Sequence, residues 1–83
     1  MMKNFMEMVN VKIEEESLLT IGMKCGNIHF INAIVPDSIS ISNGIHIKGE
    51  WMTLDIPADC KITYDEFDDE FTIVYENTIL YFS

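Results

Sequence analysis

Arginine is absent from the chain, and five lysines stand against fourteen acidic residues over 83 positions, a net charge of −9. Phosphate affinity rests on those two cations, so direct nucleic-acid binding is not expected. Cysteine occurs only as Cys25 and Cys60, one bridge at most and no disulfide framework. Long apolar runs are missing as well. The run from Thr78 to Phe82 is far shorter than the roughly 20 residues that span a bilayer as a helix. In the opening MMKNFMEMVNVKIEEES, Asn4, Glu7 and Asn10 interrupt the apolar positions, whereas a secretory leader needs an unbroken apolar stretch. The expectation is a cytoplasmic protein without a membrane partner, its thiols reduced.

Catalytic signatures are equally scarce. His29 and His46 are the only histidines, both on the polar phase of their strands, and no nucleophile elbow or paired-acid arrangement accompanies them. Cys25-x3-His29 is a loose pair, neither CxxC nor HxxxH occurs, and Cys60 falls in the apolar phase with Ile62 and Tyr64, so a transition-metal site is not expected. Asp65, Asp68, Asp69 and Glu70 supply oxygen atoms, but their spacing and the missing glycine do not make an EF-hand loop. The chain therefore reads as a non-enzyme with no cofactor.

What is abundant is isoleucine, with thirteen copies, and β-branched residues favour pleated, half-buried strands. Short period-2 runs separated by turn residues predict an all-β single domain over residues 1–83. Its expected form is a small antiparallel barrel or two-sheet sandwich of about seven to eight short strands. The first run, residues 5–13, alternates from Val9 onward and reads as a strand, with a short helical turn over residues 2–8 as the alternative. Strands follow over 17–24 and 28–34, with the turn between them at Cys25-Gly26-Asn27. Val35-Pro36-Asp37 then break the ladder, because proline donates no hydrogen bond.

Side-chain phase fixes the next hairpin. A two-residue Asn43-Gly44 loop would set Ile41 against His46 and mix the faces. A three-residue loop, Ser42-Asn43-Gly44, sets Ile41 against Ile45 and Ile39 against Ile47, with Gly44 in the left-handed position. At Gly49-Glu50 the apolar phase slips by one, which predicts a bulge or sharp bend. The last hairpin places Cys60, Ile62 and Tyr64 opposite Tyr75, Ile73 and Phe71 around a four-residue loop, Glu66-Phe67-Asp68-Asp69. A final strand, residues 78–82, is expected at the centre of a sheet.

Charge singles out the candidate site. Residues 55–83 hold eight acids and one lysine, whereas residues 17–54 are neutral in sum. Five of the six residues from 65 to 70 are carboxylates: Asp65, Glu66, Asp68, Asp69 and Glu70, with Phe67 among them. Like charges so close repel. Such a loop tip suits a basic partner surface, with Phe67 as apolar anchor; the plain structural alternative is a solvated turn that aids solubility. Ile39 and Ile41 on the uncharged 38–48 hairpin are candidates for a homo-oligomer contact through an open edge, and Trp51, out of phase with its neighbours, for an interface anchor or the cover of an open end. The expectation is a small acidic binding protein, an inhibitor of the kind phages and mobile elements encode against host defence or nucleic-acid enzymes. The alternatives are an oligomeric sponge for a small nucleotide-like signal and a structural assembly subunit.

Overall fold

A computed structural model describes all 83 residues as one N-terminal helix followed by eight strands in two antiparallel sheets. The helix, α1 (Met2–Glu15), replaces the strand expected over residues 5–13. The correction turns on Val11. A strand phase would bury Val9, Val11 and Ile13 together, but Val9 is fully buried while Val11 is 48% exposed. The buried stripe is Met2, Phe5, Met8, Val9 and Ile13, the three- and four-residue spacing of a helix face. Methionine, lysine and glutamate supply the propensity. The helix ends at Glu16, which adopts φ 52°. Ser17 N–H then bonds Lys12 O at 3.0 Å and Glu16 N–H bonds Ile13 O at 3.2 Å, closing the last carbonyls without a glycine.

The five-stranded sheet has the order β2-β1-β8-β7-β6, from β1 (Leu19–Cys25), β2 (Ile28–Ile34), β6 (Lys61–Asp65), β7 (Glu70–Tyr75) and β8 (Thr78–Phe82). β8 is its central strand, as expected. The three-stranded sheet has the order β3-β4-β5, from β3 (Pro36–Ile41), β4 (Gly44–Gly49) and β5 (Thr53–Pro57). Pro36 begins β3 rather than standing in a break, and the ladder slips between Pro36 and Ser38, where the missing proline N–H is tolerated at an edge.

Both hairpin registers match the expectation, except that Cys60 lies in the turn before β6, its N–H on Pro57 O, and does not pair with Tyr75. Ile39 faces Ile47 and Ile41 faces Ile45; Ile62 faces Ile73, Tyr64 faces Phe71 and Asp65 faces Glu70. Within the first loop the left-handed residue is Asn43, at φ 53°, and Gly44 sits at φ 135°. A side chain on Gly44 would drive its Cβ into the Ile56 carbonyl oxygen, so the close approach of β5 requires glycine there. The phase slip at Gly49 is the β4–β5 reversal itself. Lys48 pairs with Thr53, and Gly49 N–H bonds Met52 O at 2.8 Å.

The core lies between the inner faces of the two sheets and under α1. It joins Leu19, Ile21, Ile34, Phe71, Ile73, Leu80 and Phe82 of the large sheet to Ile45, Ile47 and Ile56 of the small one. Phe5 enters it from the helix, edge-on to Phe82 and Phe71 with ring centroids 5.0 and 5.6 Å away, a preferred aromatic geometry. α1 also packs against β3 of the small sheet, while its contact with Phe71 sets it beside the β6–β7 end of the large one. No helix is long and apolar enough to cross a membrane.

Candidate functional site

The acidic segment is the tip of the β6–β7 hairpin. Asp65 ends β6, Glu70 opens β7, and the two carboxylates are directly opposed in the ladder, a pairing that costs stability. The intervening turn is nonetheless built in detail. Asp65 Oδ1 accepts hydrogen bonds from Phe67 N–H at 2.9 Å and Asp68 N–H at 3.4 Å, the local side-chain-to-backbone closure that favours aspartate in turns. Asp69 takes φ 50°, and its Oδ1 accepts the Tyr64 hydroxyl at 2.5 Å. That bond, then partial burial, then the charges of Asp69, Glu66 and Asp65 raise the tyrosine pKa. Phe67 is held at the apex, 100% exposed.

No cation is within ion-pair distance of the tip, although Lys12 lines a groove together with Asp68 and Asp69. The one ion pair in the molecule joins His46 Nδ1 to Asp55 at 2.7 Å, in the other sheet. Beside the tip the helix adds what the strand reading hid. Asn4, Glu7, Met8 and Val11, one face of α1, form with Tyr64, Asp69 and Phe71 an open groove of about 410 Å³. It is lined by the apolar Met8, Val11 and Phe71 together with the carboxylates of Glu7 and Asp69. The groove continues past Asp68 and Lys12 to Ser83. The arrangement offers apolar surface beside carboxylates, the combination that a long cationic side chain matches chemically. The sequence held a signal for the helical wall only, in the three- and four-residue spacing of Asn4, Glu7, Met8 and Val11.

The other candidates are dispersed. Ile39 is packed against the core, whereas Ile41 on the same edge strand is exposed. Trp51 lies in the β4–β5 loop, 87% exposed, and so covers no open end. Cys25 and Cys60 are both free thiols. Cys25 Sγ accepts a long contact from Thr78 Oγ1 at 3.7 Å, while burial pushes the Cys60 thiol pKa up. His29 and His46 stand on separate sheets. No three His, Cys, Asp or Glu side chains converge as ligands for a metal ion.

His46 is engaged on both ring nitrogens. Nδ1 meets Asp55 and Nε2 meets Ser42 O at 2.8 Å. Both partners are acceptors, so both contacts are satisfied together only by the doubly protonated ring. The Asp55 hydrogen bond chiefly, then that to Ser42, raise the His46 pKa above 6.5. This explains the histidine as a clasp between β4, β5 and the β3–β4 loop. Comparison of the chain with family models, curated proteins and solved structures finds no match.

Proposed function

We propose that the protein is a binding module that occupies a basic surface of another protein through the β6–β7 tip and the adjoining groove. The observation that carries this reading is a fully exposed Phe67 held by Asp65 among unpaired carboxylates. An exposed aromatic ring on a hydrogen-bonded turn, ringed by charge of one sign, has the composition of an interface anchor with a steering rim. A device for solubility needs the charges but neither the ring nor the groove. The narrower form of the proposal is inhibition. The tip sets a row of negative charge against a groove that otherwise holds nucleic-acid phosphates, in a host-defence or nucleic-acid-handling enzyme of the type that phages and mobile elements oppose. Its support is the small size, the absence of arginine and the concentration of charge in one hairpin.

The test compares the wild type with a variant carrying Asp65→Asn, Glu66→Gln, Asp68→Asn and Asp69→Asn. The amides retain the acceptor oxygens of the turn, so the hairpin keeps its hydrogen bonds while losing four of its five charges. Wild-type protein is expected to capture a basic protein from lysate that the variant does not, and affinity for the purified partner should fall steeply as salt rises. Equal capture by both proteins, or affinity indifferent to salt, would reject the tip as the binding element.

A further inference from the structure

The four sheet edges are not alike. β3 carries Pro36, Asp37 and a register slip, β5 carries Asp55 and Pro57, and β6 carries Lys61 and Asp65. Charge, proline and bulges are the usual guards against edge-to-edge pairing. β2, Ile28-His29-Phe30-Ile31-Asn32-Ala33-Ile34, has none of them. It holds no formally charged residue in a chain of net charge −9. Every residue before Ile34 is exposed, Ile31 by 79% and Ile28 by 67%.

The free hydrogen-bonding groups of β2 follow from the opposite side of its neighbour. Thr20 and Ser83 exchange both backbone hydrogen bonds, at 2.9 and 3.1 Å, so the even-numbered residues of β1 face β8 and the odd-numbered ones face β2. The partners of the odd-numbered residues are Ile28, Phe30, Asn32 and Ile34. His29, Ile31 and Ala33 therefore direct their N–H and C=O outward. One of these donors is already taken, because Ala33 N–H bonds Asn32 Oδ1 at 2.9 Å.

The geometry points to a second copy of this chain on β2, paired antiparallel about a two-fold axis through Phe30. In that register His29 of each copy exchanges both backbone bonds with Ile31 of the other, giving four inter-chain hydrogen bonds. Phe30 faces Phe30 of the second copy in the close, non-hydrogen-bonded position, and Ile28 faces Asn32. The register one step along, centred on Ile31, requires the Ala33 N–H that Asn32 occupies. Two copies of a chain of net charge −9 repel overall, and β2 is the edge on which they can meet with no formal charges opposed, because the acidic tip lies at the opposite side of the same sheet. The two five-stranded sheets join into one of ten strands. At about 4.8 Å per strand the tips stand roughly 40 Å apart, several Debye lengths at physiological salt.

Sedimentation equilibrium tests the assembly, and cysteine pairing tests the register. Wild-type protein is expected at twice the 9.6 kDa monomer mass. Ile31→Lys and Ile31→Pro should each return it to monomer with the far-ultraviolet spectrum unchanged, since neither removes a bond to β1. Ile41→Lys, on the β3 edge, should leave the dimer intact. In a Cys25→Ser, Cys60→Ser background, Phe30→Cys should oxidise to a covalent dimer faster than Ile31→Cys. A monomeric wild type, a dimer that survives both Ile31 variants, or one lost in Ile41→Lys would overturn the proposal. Faster cross-linking through position 31 would overturn the Phe30-centred register.

Discussion

The two hairpins β3–β4 and β6–β7 are built by the same rules and carry opposite surfaces. Each aligns isoleucine or aromatic residues on its inner face, and each has a side chain reaching into its own loop. His46 bonds the Ser42 carbonyl in the first, and Tyr64 bonds Asp69 in the second. The first closes over Ser42-Asn43-Gly44 without a charge, and its one carboxylate partner, Asp55, is met by the histidine. The second closes over Glu66-Phe67-Asp68-Asp69, between two further acids. The neutral loop shows that a hairpin of this fold needs no carboxylate beyond a turn-forming Asx residue. The side chains of Glu66, Phe67, Asp68 and Glu70 make no hydrogen bond that closes the turn, whereas those of Asp65 and Asp69 do. That is the physical basis for reading the tip as a surface directed at a partner.

The comparison breaks most sharply at Gly44. Its φ of 135° and the collision of any added Cβ with the Ile56 carbonyl oxygen make Gly44→Ala a backbone substitution. The expected loss in urea unfolding is roughly 1–3 kcal/mol or more. Asp69→Gly, at the left-handed position of the acidic loop, removes a conformational penalty while deleting the acceptor for Tyr64. The two effects oppose, so its net change should be well below that of Gly44→Ala. A larger loss at Asp69 than at Gly44 would show that the acidic tip, not the neutral one, is the structural hairpin.

Next in size is Tyr64→Phe, which removes the hydroxyl from Asp69 and leaves the ring against Phe71, 4.9 Å between centroids. The melting temperature should drop by no more than a few degrees, because the bond is at the surface. The raised tyrosine pKa has a definite sign. The neutral hydroxyl is the favoured form in the folded state, so its contribution is present below the ordinary value of 10.0 and disappears as pH rises through the higher folded value. Ultraviolet titration of tyrosine ionisation should show Asp69→Asn bringing one group back toward normal.

His46 yields a smaller effect of similar logic. Its folded pKa lies above 6.5, with Asp55 the largest cause. The stabilisation is therefore complete below 6.5 and is lost as pH rises through the folded value. Once the base-catalysed rise in intrinsic exchange is divided out, amide protection in the three-stranded sheet should be higher at mildly acidic pH than at alkaline pH, and Asp55→Asn should flatten that difference. Asp55→Asn should bring the histidine back toward 6.5 in an NMR titration, and an unshifted midpoint would remove the clasp from the account.

How far the sequence disclosed these features depended on whether a signal was local. Both hairpin registers were legible because period-2 phase and loop length leave one alignment that keeps Ile39, Ile41, Ile45 and Ile47 on one face, and likewise Ile62 and Ile73. The helix was not legible as such, because Val9, Val11 and Ile13 satisfy alternation while Met2, Phe5, Val9 and Ile13 satisfy the helical spacing. Only the exposure of Val11 separates the two. With the helix went the groove, whose walls come from residues more than fifty positions apart. The open edge at β2 was hidden for a different reason. Its apolar residues resemble core until the strand order leaves them on the outside, and strand order is not a property of any one segment.

The smallest expected effect on stability is the most informative about function. Phe67 touches nothing that holds the fold, being fully exposed above a turn whose hydrogen bonds come from Asp65 and backbone amides. Phe67→Ala should change unfolding free energy by less than about 0.5 kcal/mol. If the ring is an anchor, the same substitution should weaken binding to the partner captured by the tip by tenfold or more, the loss of a buried aromatic contact, while leaving the salt dependence of the residual binding unaltered. A variant equally stable and equally competent to bind would confine the tip's role to its charges. Loss of binding with stability intact would separate the two hairpins by purpose, since no side chain in the Ser42-Asn43-Gly44 loop offers a comparable apolar contact.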